Sequence, residues 1–341
     1  MYAYLDTHSE DRFLKFGEGY NPTPGDNEIK IRVTACGICR TDLHIIDREL
    51  NEPRENVIPG HQIVGIVMEL GKNVTSLSIG QKVGIPWLGK CCNECEFCKS
   101  GKENLCDKSE YTGYQRNGGM SEYCVADADF CFPIPNHYPD VQAAPLLCAG
   151  LIGYRALQKI PKDAKSIGFY GFGSSAHILT QVCNYCHQDV YAFTRNGDQK
   201  KQNFALSLGA KWAGGSDEFP PIPLDAAIIF ASEGKTLINA LKAVKKGGCV
   251  ICAGIYMSDI PSFQYNDLWM ERRIESVANL TKQDGREFLT LAPQIPIETH
   301  VNLYSFKNVN KALDDLRHGR VTGSLVVIID KDLQKQYNIE D

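Results

Sequence analysis

Four cysteines lie close together between residues 92 and 106 of the chain. Cys92, Cys95, Cys98 and Cys106 follow the spacing C-x2-C-x2-C-x7-C in a segment rich in Glu, Lys, Gly and Asn. Four thiolates on one short segment are typical of a closed tetrahedral zinc site, which leaves no metal position for a substrate. Two disulfides would instead require small strained rings and an oxidising compartment. The spacing therefore predicts a structural zinc lobe over residues 90–107, with the adjacent Cys91 outside the ligand set.

Composition indicates a reducing compartment and argues against nucleic-acid and membrane partners. The chain has 14 cysteines and a formal net charge of −5, so it offers no basic surface for nucleic acid. Its first residues, MYAYLDTHSEDRFLKF, lack the basic and apolar regions of a secretory signal. No apolar run reaches the ~18 residues of a membrane span. We therefore expect a cytoplasmic protein with reduced thiols, no nucleic-acid partner and no membrane partner.

The pattern of apolar residues changes along the chain and predicts two domains. A length of 341 residues exceeds what one hydrophobic core usually organises. In the first part, alternating apolar and polar residues predict β-strands, for example over 28–35 and 62–71. From about residue 146, short apolar strands alternate with helical stretches such as 174–186 and 236–247. This alternation is typical of βαβ units on a parallel sheet.

A glycine-containing turn lies within the alternating part. The segment SIGFYGFGSSA, residues 166–176, is a strand that runs into G-x-G-x-x-A and then into a helix. Gly171 permits a tight turn, Gly173 allows backbone to approach a pyrophosphate, and Ala176 is small enough for close packing of helix on strand. The free N–H groups at the helix N-terminus would receive the phosphates. An ordinary turn is the alternative, but the βαβ context favours dinucleotide binding.

Three further residues have the chemistry of a second metal site. Cys39, His61 and Cys148 lie in the segments ACGICRTDLH, PGHQIVG and PLLCAG. Three protein ligands with an open fourth position are typical of a catalytic zinc. Each residue alone is weak support for a metal site, because a single histidine or cysteine is more often a structural residue.

The whole chain resembles the zinc-dependent alcohol dehydrogenases of the medium-chain dehydrogenase/reductase family. The resemblance rests on five segments in order: CGICRTDLH, PGHQIVG, CCNECEFCKSGKENLC, PLLCAG and GFGSSA. It implies a fold that is α/β plus mostly β, with a Rossmann doubly wound parallel sheet over residues 146–281. A GroES-like catalytic domain would consist of residues 1–145 and 282–341.

The resemblance also implies roles for individual residues. Cys39, His61 and Cys148 would hold a catalytic zinc, which makes two zinc ions per chain with the lobe. Thr41 and His44 resemble the proton relay of the family, and Asp42 resembles the partner of the zinc-bound histidine. Two plainer interpretations stay open for the relay: Thr41 as a helix cap and His44 as a surface residue.

The implied activity is hydride transfer between an alcohol and a nicotinamide nucleotide. Zinc would bind the alcohol oxygen and lower its pKa, and the proton would leave through Thr41, the nucleotide ribose and His44. We expect alcohols, primary ones foremost, to be interconverted with aldehydes or ketones. Trp87 and Tyr114 are candidate walls of the substrate pocket. The alternatives are a zinc-independent quinone or enoyl reductase of the same fold, and a non-enzymatic zinc-binding protein. Relatives suggest a homodimer or homotetramer.

The residues after the second parallel strand favour NADP over NAD. Strands of NAD-preferring folds usually end in Asp or Glu, which binds the ribose 2′-hydroxyl. Here the strand VYAFT ends at Thr194, and Arg195 follows, with Lys200 and Lys201 nearby. A guanidinium can bind the 2′-phosphate of NADP through charge-assisted hydrogen bonds. A solvated surface charge is the other interpretation of Arg195.

Two positions depart from the family pattern. Gln62 follows the zinc histidine where many relatives have glutamate, so a negative charge near the metal is missing. Gly323 and Ser324 stand where many relatives place an arginine that reaches the pyrophosphate. Neither departure removes a zinc ligand, although both affect the expected rate and cofactor affinity.

Overall fold

A computed structural model describes residues 1–50, 53–295 and 297–340. These residues form two compact units. Unit 1 contains residues 1–148, 280–293 and 298–341, and unit 2 contains residues 149–279 and 294–297. The domain bounds given above from the sequence stay a prediction.

Unit 1 is mostly β. Its strands are β1 (Tyr2–Tyr4), β2 (Lys15–Gly17), β3 (Glu28–Ile38), β4 (Gln62–Leu70), β5 (Lys82–Ile85), β6 (Leu88–Lys90), β7 (Glu110–Tyr111), β8 (Tyr123–Asp127), β9 (Phe132–Pro133), β16 (Val301–Ser305) and β17 (Ser324–Ile328). Its helices are α1 (Arg40–Ile46), α2 (Glu96–Lys99), α3 (Asp140–Ala143), α9 (Lys282–Leu291), α10 (Val309–Arg317) and α11 (Lys331–Gln336).

One seven-stranded sheet organises unit 1. Its strand order is β16-β17-β3-β4-β5-β9, and β8 pairs with β3 beside this path. All neighbours are antiparallel except β16 and β17. The long strand β3 is central because its apolar side chains Ile29, Ile31 and Val33 are buried in the core of the unit. The ends of β3 and the start of β4 therefore lie on rigid, well-packed backbone.

Unit 2 is a parallel sheet with helices. Its strands are β10 (Ser166–Tyr170), β11 (Asp189–Thr194), β12 (Trp212–Gly215), β13 (Leu224–Ile229), β14 (Val244–Cys252) and β15 (Arg273–Ser276). Its helices are α4 (Ala149–Leu157), α5 (Ser174–Tyr185), α6 (Gln199–Ser207), α7 (Lys235–Ala243) and α8 (Tyr265–Leu268). The strand order β12-β11-β10-β13-β14-β15 is that of a doubly wound dinucleotide-binding sheet. The predicted fold class, α/β plus mostly β, is confirmed.

Two details of unit 2 differ from the sequence-based expectation. The helix predicted over 236–247 ends at Ala243, because Val244 already begins strand β14. Strand β12 was not expected, because the short segment WAGG contains two glycines and has little β propensity. It nevertheless pairs with β11 from Tyr191 to Thr194.

The helices are short. The longest in the described ranges, α5, has 12 residues, whereas a membrane-spanning helix needs about 20. Within those ranges, none is long and apolar enough to cross a membrane.

Candidate active site and metal centres

The four clustered cysteines converge on one point in unit 1. Their sulfur atoms all lie within 4.8 Å of one another. Cys92 Sγ is 3.8 Å from Cys98 Sγ and 3.5 Å from Cys106 Sγ. Disulfides would bring sulfurs to about 2.05 Å, while thiolates at 2.3 Å around a tetrahedral zinc would stand about 3.8 Å apart. The spacing of the sulfurs fits a zinc ion and does not fit disulfides.

Backbone amides point at these sulfurs. The N–H groups of Cys92, Cys95 and Cys98 donate to the sulfurs of Cys106, Cys92 and Cys95, at 3.5, 3.4 and 3.5 Å. The N–H groups of Glu94 and Cys95 lower the pKa of Cys92 to about 6. Amide donors favour the thiolate form, which is the form that binds a metal.

The cysteine lobe is attached to the rest of unit 1 through a buried acid. Glu103 is 3% exposed, and its carboxylate accepts a hydrogen bond of 2.5 Å from the backbone N–H of Lys282 at the start of α9. Cys91 is buried and donates to Asn93 Oδ1 at 3.1 Å. It is not a member of the sulfur cluster.

Cys39, His61 and Cys148 also meet in unit 1, although they are far apart in sequence. Cys39 lies between β3 and α1, His61 directly precedes β4, and Cys148 directly precedes α4. Cys39 Sγ is 3.3 Å from His61 Nε2 and 3.9 Å from Cys148 Sγ. All three ligand atoms lie within 4.8 Å of one another. Two sulfurs and one imidazole nitrogen at this spacing fit a zinc ion with a position left for substrate.

Asp42 lies behind His61 and orients its ring. The carboxylate is 1% exposed, accepts the backbone N–H of Cys39 at 2.8 Å, and places Oδ1 3.3 Å from His61 Nδ1. The two atoms are close but are not aligned for a hydrogen bond, and neither has a hydrogen-bond partner within the described residues. The ring is thereby turned so that Nε2 faces Cys39.

The buried groups of the three-residue site shift one another's pKa values. Burial opposes charge and raises the pKa of the Asp42 carboxyl. Burial would lower the pKa of His61, but attraction from Asp42 and Cys39 outweighs it and raises this pKa to about 10. Contact with Cys148, and then with His61 and Thr41, lowers the pKa of Cys39 well below its usual value. Contact with Cys39 raises the pKa of Cys148 well above its usual value, so Cys39 is the thiol of the site that favours its anionic form.

The two predicted relay residues lie on helix α1. Thr41 is 8% exposed and its hydroxyl interacts with the sulfur of Cys39. It is not the helix cap, because Cys39 occupies the N-cap position. The side chain of His44 is 19% exposed, and its Nδ1 contacts the carboxylate of Glu49. His44 is therefore a partly buried, paired residue and not an isolated surface histidine.

Aromatic rings cover one side of the site. Trp87 meets the ring of His61 edge to face, with 5.0 Å between centroids. Trp87 also stacks on Tyr111 at 5.0 Å and on Tyr114 at 5.9 Å. Trp87 and Tyr114 were singled out from the sequence, but Tyr111 was missed because nothing local in EYTGY signals a stacking partner. The three rings form a rigid apolar wall beside the histidine.

The two departures from the family pattern also lie in unit 1. Gln62 is 2% exposed, and its Nε2 has no hydrogen-bond partner within the described residues. Gly323 has φ of +83°, and a Cβ there would meet the carbonyl oxygen of His300 at 2.2 Å. This position therefore requires glycine.

The glycine turn in unit 2 has the geometry of a phosphate-binding loop. Gly171 has φ of +92°, and a Cβ there would lie 2.9 Å from the backbone nitrogen of Ala231. A Cβ on Gly173 would meet nothing within 4 Å, so the space above its backbone is open. Ala176 is fully buried on α5. The turn thus leaves room in front of the N-terminus of α5, where a phosphate would bind.

Basic residues follow strand β11. No acidic residue lies at the end of the strand, where NAD-preferring folds usually have one. The Thr194 hydroxyl is buried and is engaged with the carbonyl oxygen of Gly214 and with Gln202. Arg195 is exposed, and its backbone carbonyl oxygen accepts hydrogen bonds from the Asp198 N–H at 3.1 Å and the Thr194 hydroxyl at 3.0 Å. Its guanidinium makes no hydrogen bond or ion pair within the described part of the chain. Lys200 is also exposed, whereas Lys201 pairs with Asp198 at 3.1 Å. Arg195 is the best placed of the four predicted residues to meet a phosphate.

Comparisons with known proteins agree with this geometry. Residues 25–136 match the family model described as alcohol dehydrogenase GroES-like domain. The chain is 42% identical over 316 residues to a probable alcohol dehydrogenase of Mycobacterium tuberculosis, covering 90% of each chain. It is similar to a cinnamyl alcohol dehydrogenase structure from Sorghum bicolor (26% identity, 96% of each chain, TM-score 0.85). It is also similar to a structure of CAD from Helicobacter pylori complexed with NADP(H), with 25% identity over 97% of this chain and 98% of that one, and a TM-score of 0.85.

Proposed function

This chain belongs to the zinc-dependent alcohol dehydrogenases of the medium-chain dehydrogenase/reductase family, and we propose that Cys39, His61 and Cys148 hold its catalytic zinc. The observation that carries the proposal is the convergence of their ligand atoms within 4.8 Å, with Asp42 behind the histidine. A zinc-independent reductase of the same fold would have no need for this triad. A non-enzymatic zinc protein would have no need for the nucleotide-binding turn of unit 2.

The residues around this site have separate roles in the reaction. A bound zinc would act as a Lewis acid on the oxygen of the alcohol or carbonyl compound. Asp42 holds the His61 ring in its orientation, as carboxylates commonly do for metal-binding histidines. The Thr41 hydroxyl accepts the alcohol proton and passes it on towards His44, which releases it to solvent. The aromatic wall of Trp87, Tyr111 and Tyr114 excludes water from one side of the reacting groups.

A panel of alcohols tests this function directly. The purified protein is mixed with primary, secondary and aromatic alcohols and with NAD or NADP, and the absorbance of the reduced nicotinamide is followed. We expect turnover with at least one alcohol and the greatest kcat/KM with a primary one. Reduction of quinones or enones with no turnover of any alcohol or aldehyde would contradict the proposal.

We propose that the cysteine lobe holds the second zinc ion and that this zinc is structural. Four sulfurs within 4.8 Å of one another would fill all four ligand positions of a tetrahedral zinc, so no position would remain for a substrate. Metal analysis of the purified protein should give two zinc ions per chain. The cytoplasmic location expected from the sequence stays a prediction.

The nucleotide is proposed to bind unit 2 with its phosphates at the turn formed by Gly171, Gly173 and Ala176. The open space at Gly173 and the N-terminus of α5 support this placement. NADP is the proposed preference, because Arg195 is exposed beside the end of β11 and Thr194 supplies no carboxylate to repel a 2′-phosphate.

Replacing Arg195 with alanine is expected to weaken the use of NADP more than that of NAD. Loss of charge-assisted bonds to a phosphate should lower kcat/KM for NADP about 10- to 100-fold, since each such bond contributes about 1.5–3 kcal/mol. Arg195→Lys should keep part of the preference, and Lys246→Ala, which removes an exposed charge on β14, should keep all of it. A wild-type kcat/KM that is higher for NAD than for NADP would rule the preference out.

A homodimer or homotetramer is proposed, with β15 as one contact surface. This strand ends the parallel sheet, so one of its edges has unpaired backbone groups. Large apolar side chains of this strand and of the residues that precede it are exposed: Tyr265, Trp269, Met270 and Ile274. Exposed apolar clusters of this kind mark interfaces.

Light scattering during size-exclusion chromatography should give two or four chain masses, and Trp269→Glu should shift the mass towards one. A wild-type monomer at micromolar concentration would disprove the assembly.

A further inference from the structure

Helix α1, which carries both relay residues, ends in a Schellman motif. Asp47 is the C-cap, and Arg48 adopts a left-handed conformation with φ of +59°. The N–H of Arg48 donates to the carbonyl oxygen of Ile45 at 3.1 Å, and the N–H of Glu49 donates to that of His44 at 2.9 Å. These are the two hydrogen bonds that define the motif. The backbone therefore turns back and brings Glu49 next to His44.

In a Schellman motif, the side chain two residues after the C-cap commonly contacts the side chain three residues before it, usually as a hydrophobic contact. At the end of α1 these two residues are Glu49 and His44. Here the contact is polar, because the Glu49 carboxylate meets His44 Nδ1. Only 19% of the His44 side chain is exposed, whereas 59% of the Glu49 side chain is exposed. The pair thus extends from a partly buried ring to the solvent.

The other acidic side chains on this helix are engaged elsewhere. Asp42 is buried against His61 and the N–H of Cys39. Asp47 forms an ion pair of 2.6 Å with Arg317 of α10, which anchors the end of α1. The carboxylate of Glu49, in contrast, contacts the His44 ring.

We propose that Glu49 is a positioning residue for the proton relay, fixing the His44 tautomer with its proton on Nδ1. This inference rests on the proposed function, in which His44 receives the alcohol proton. An Nδ1–H that donates to the Glu49 carboxylate leaves the lone pair on Nε2, so Nε2 is the nitrogen that accepts the proton delivered by the proposed relay. The same division of roles holds wherever a carboxylate orients a histidine base.

The proton count of the step is balanced. Neutral His44 carries one proton on Nδ1 and gains a second on Nε2 when an alcohol is oxidised. The positive charge on the ring then lies beside the negative charge of Glu49. The second proton then leaves Nε2 for water, and the ring returns to its Nδ1–H form. In carbonyl reduction the same transfers run in reverse.

The tautomer can be measured without any activity. Long-range ¹H–¹⁵N correlation spectra of ¹⁵N-histidine-labelled protein distinguish Nδ1–H from Nε2–H rings, and the His44→Asn spectrum identifies the His44 signals. At a pH at which the ring is neutral, we expect Nδ1–H in the wild type and a large Nε2–H population in Glu49→Ala. Backbone bonds of the Schellman motif do not use the Glu49 side chain, so the turn should persist. A wild-type ring in the Nε2–H form would overturn the proposal.

Kinetics give a second and independent readout. Glu49→Ala should lower kcat roughly tenfold, which is less than the loss of about 100-fold or more expected when an acid–base group itself is removed, and should change KM by less than about twofold. Glu49→Asp should recover part of kcat. The matched control is Glu55→Ala, which removes another carboxylate paired with a histidine, His8, at 2.8 Å on the surface; its kcat should equal that of wild type. Wild-type kcat in Glu49→Ala would overturn the role of Glu49. Wild-type kcat in His44→Asn would instead overturn the relay itself, while the tautomer measurement would still report on Glu49.

Discussion

Replacing His61 with alanine is expected to abolish alcohol turnover while nucleotide binding persists. His61 is fully buried and supplies the only imidazole of the three-residue metal site in the described structure. Loss of one of three ligands should empty the site and remove the Lewis acid, which contributes several kcal/mol to the barrier. We expect kcat to fall at least a thousandfold, since each 1.4 kcal/mol corresponds to a factor of ten.

Two measurements and one control separate this effect from unfolding. Metal analysis should show one zinc fewer per chain, and fluorescence titration should give a nucleotide Kd close to that of wild type, because the glycine turn lies in unit 2. His8→Ala removes an exposed histidine of unit 1 and should leave turnover unchanged. Turnover above about one tenth of wild type in a zinc-depleted His61→Ala protein would refute the assigned role of the triad.

Cys95→Ser is expected to remove the second zinc ion and to destabilise the fold. Metal binding at a four-thiolate site is coupled to folding, with binding free energies of about 10–16 kcal/mol in small zinc domains. Loss of one thiolate should therefore cost several kcal/mol of unfolding free energy and lower the melting temperature markedly. The Glu103 to Lys282 hydrogen bond links the lobe to α9, so loosening of the lobe should extend into unit 1.

The neighbouring cysteine provides the matched control for this variant. Cys91 is buried beside the cluster but is not one of its members, so Cys91→Ser should keep two zinc ions and lose little stability. Specific activity per folded molecule should be near wild type for both variants. A Cys95→Ser protein with one zinc fewer and an unchanged melting temperature would show that the lobe is not structural.

The cysteine cluster and the glycine turn could be predicted from the sequence because their parts are local. Cys92, Cys95 and Cys98 are separated by two residues each, so their sulfurs converge in one short loop whatever the rest of the chain does. The turn at Gly171 is likewise confined to a strand, a tight bend and a helix. For the same reason the alternation of strand and helix in unit 2 predicted its parallel sheet, which the strand order confirms.

Only the tertiary structure could bring Cys39, His61 and Cys148 together. The sequence separations are 22 and 109 residues, and no local spacing relates the three positions. Their proximity depends on the pairing of β3 with β4. It also depends on the segment just before α4, which returns to lie beside these two strands. The resemblance to a family named the three residues, but the folded sheet supplies the distances of 3.3 and 3.9 Å.

Contacts that depend on a turn conformation or on side-chain packing were also decided by the fold. Glu49 lies five residues after His44, a spacing that on a continued helix would point the two side chains in different directions. The left-handed residue Arg48 reverses the chain and places them in contact. Stacking of Tyr111 on Trp87 likewise depends on β6 pairing with β7. Sequence determines groups held by short-range spacing, whereas groups joined across strands or through a helix end acquire their geometry only when the core has formed.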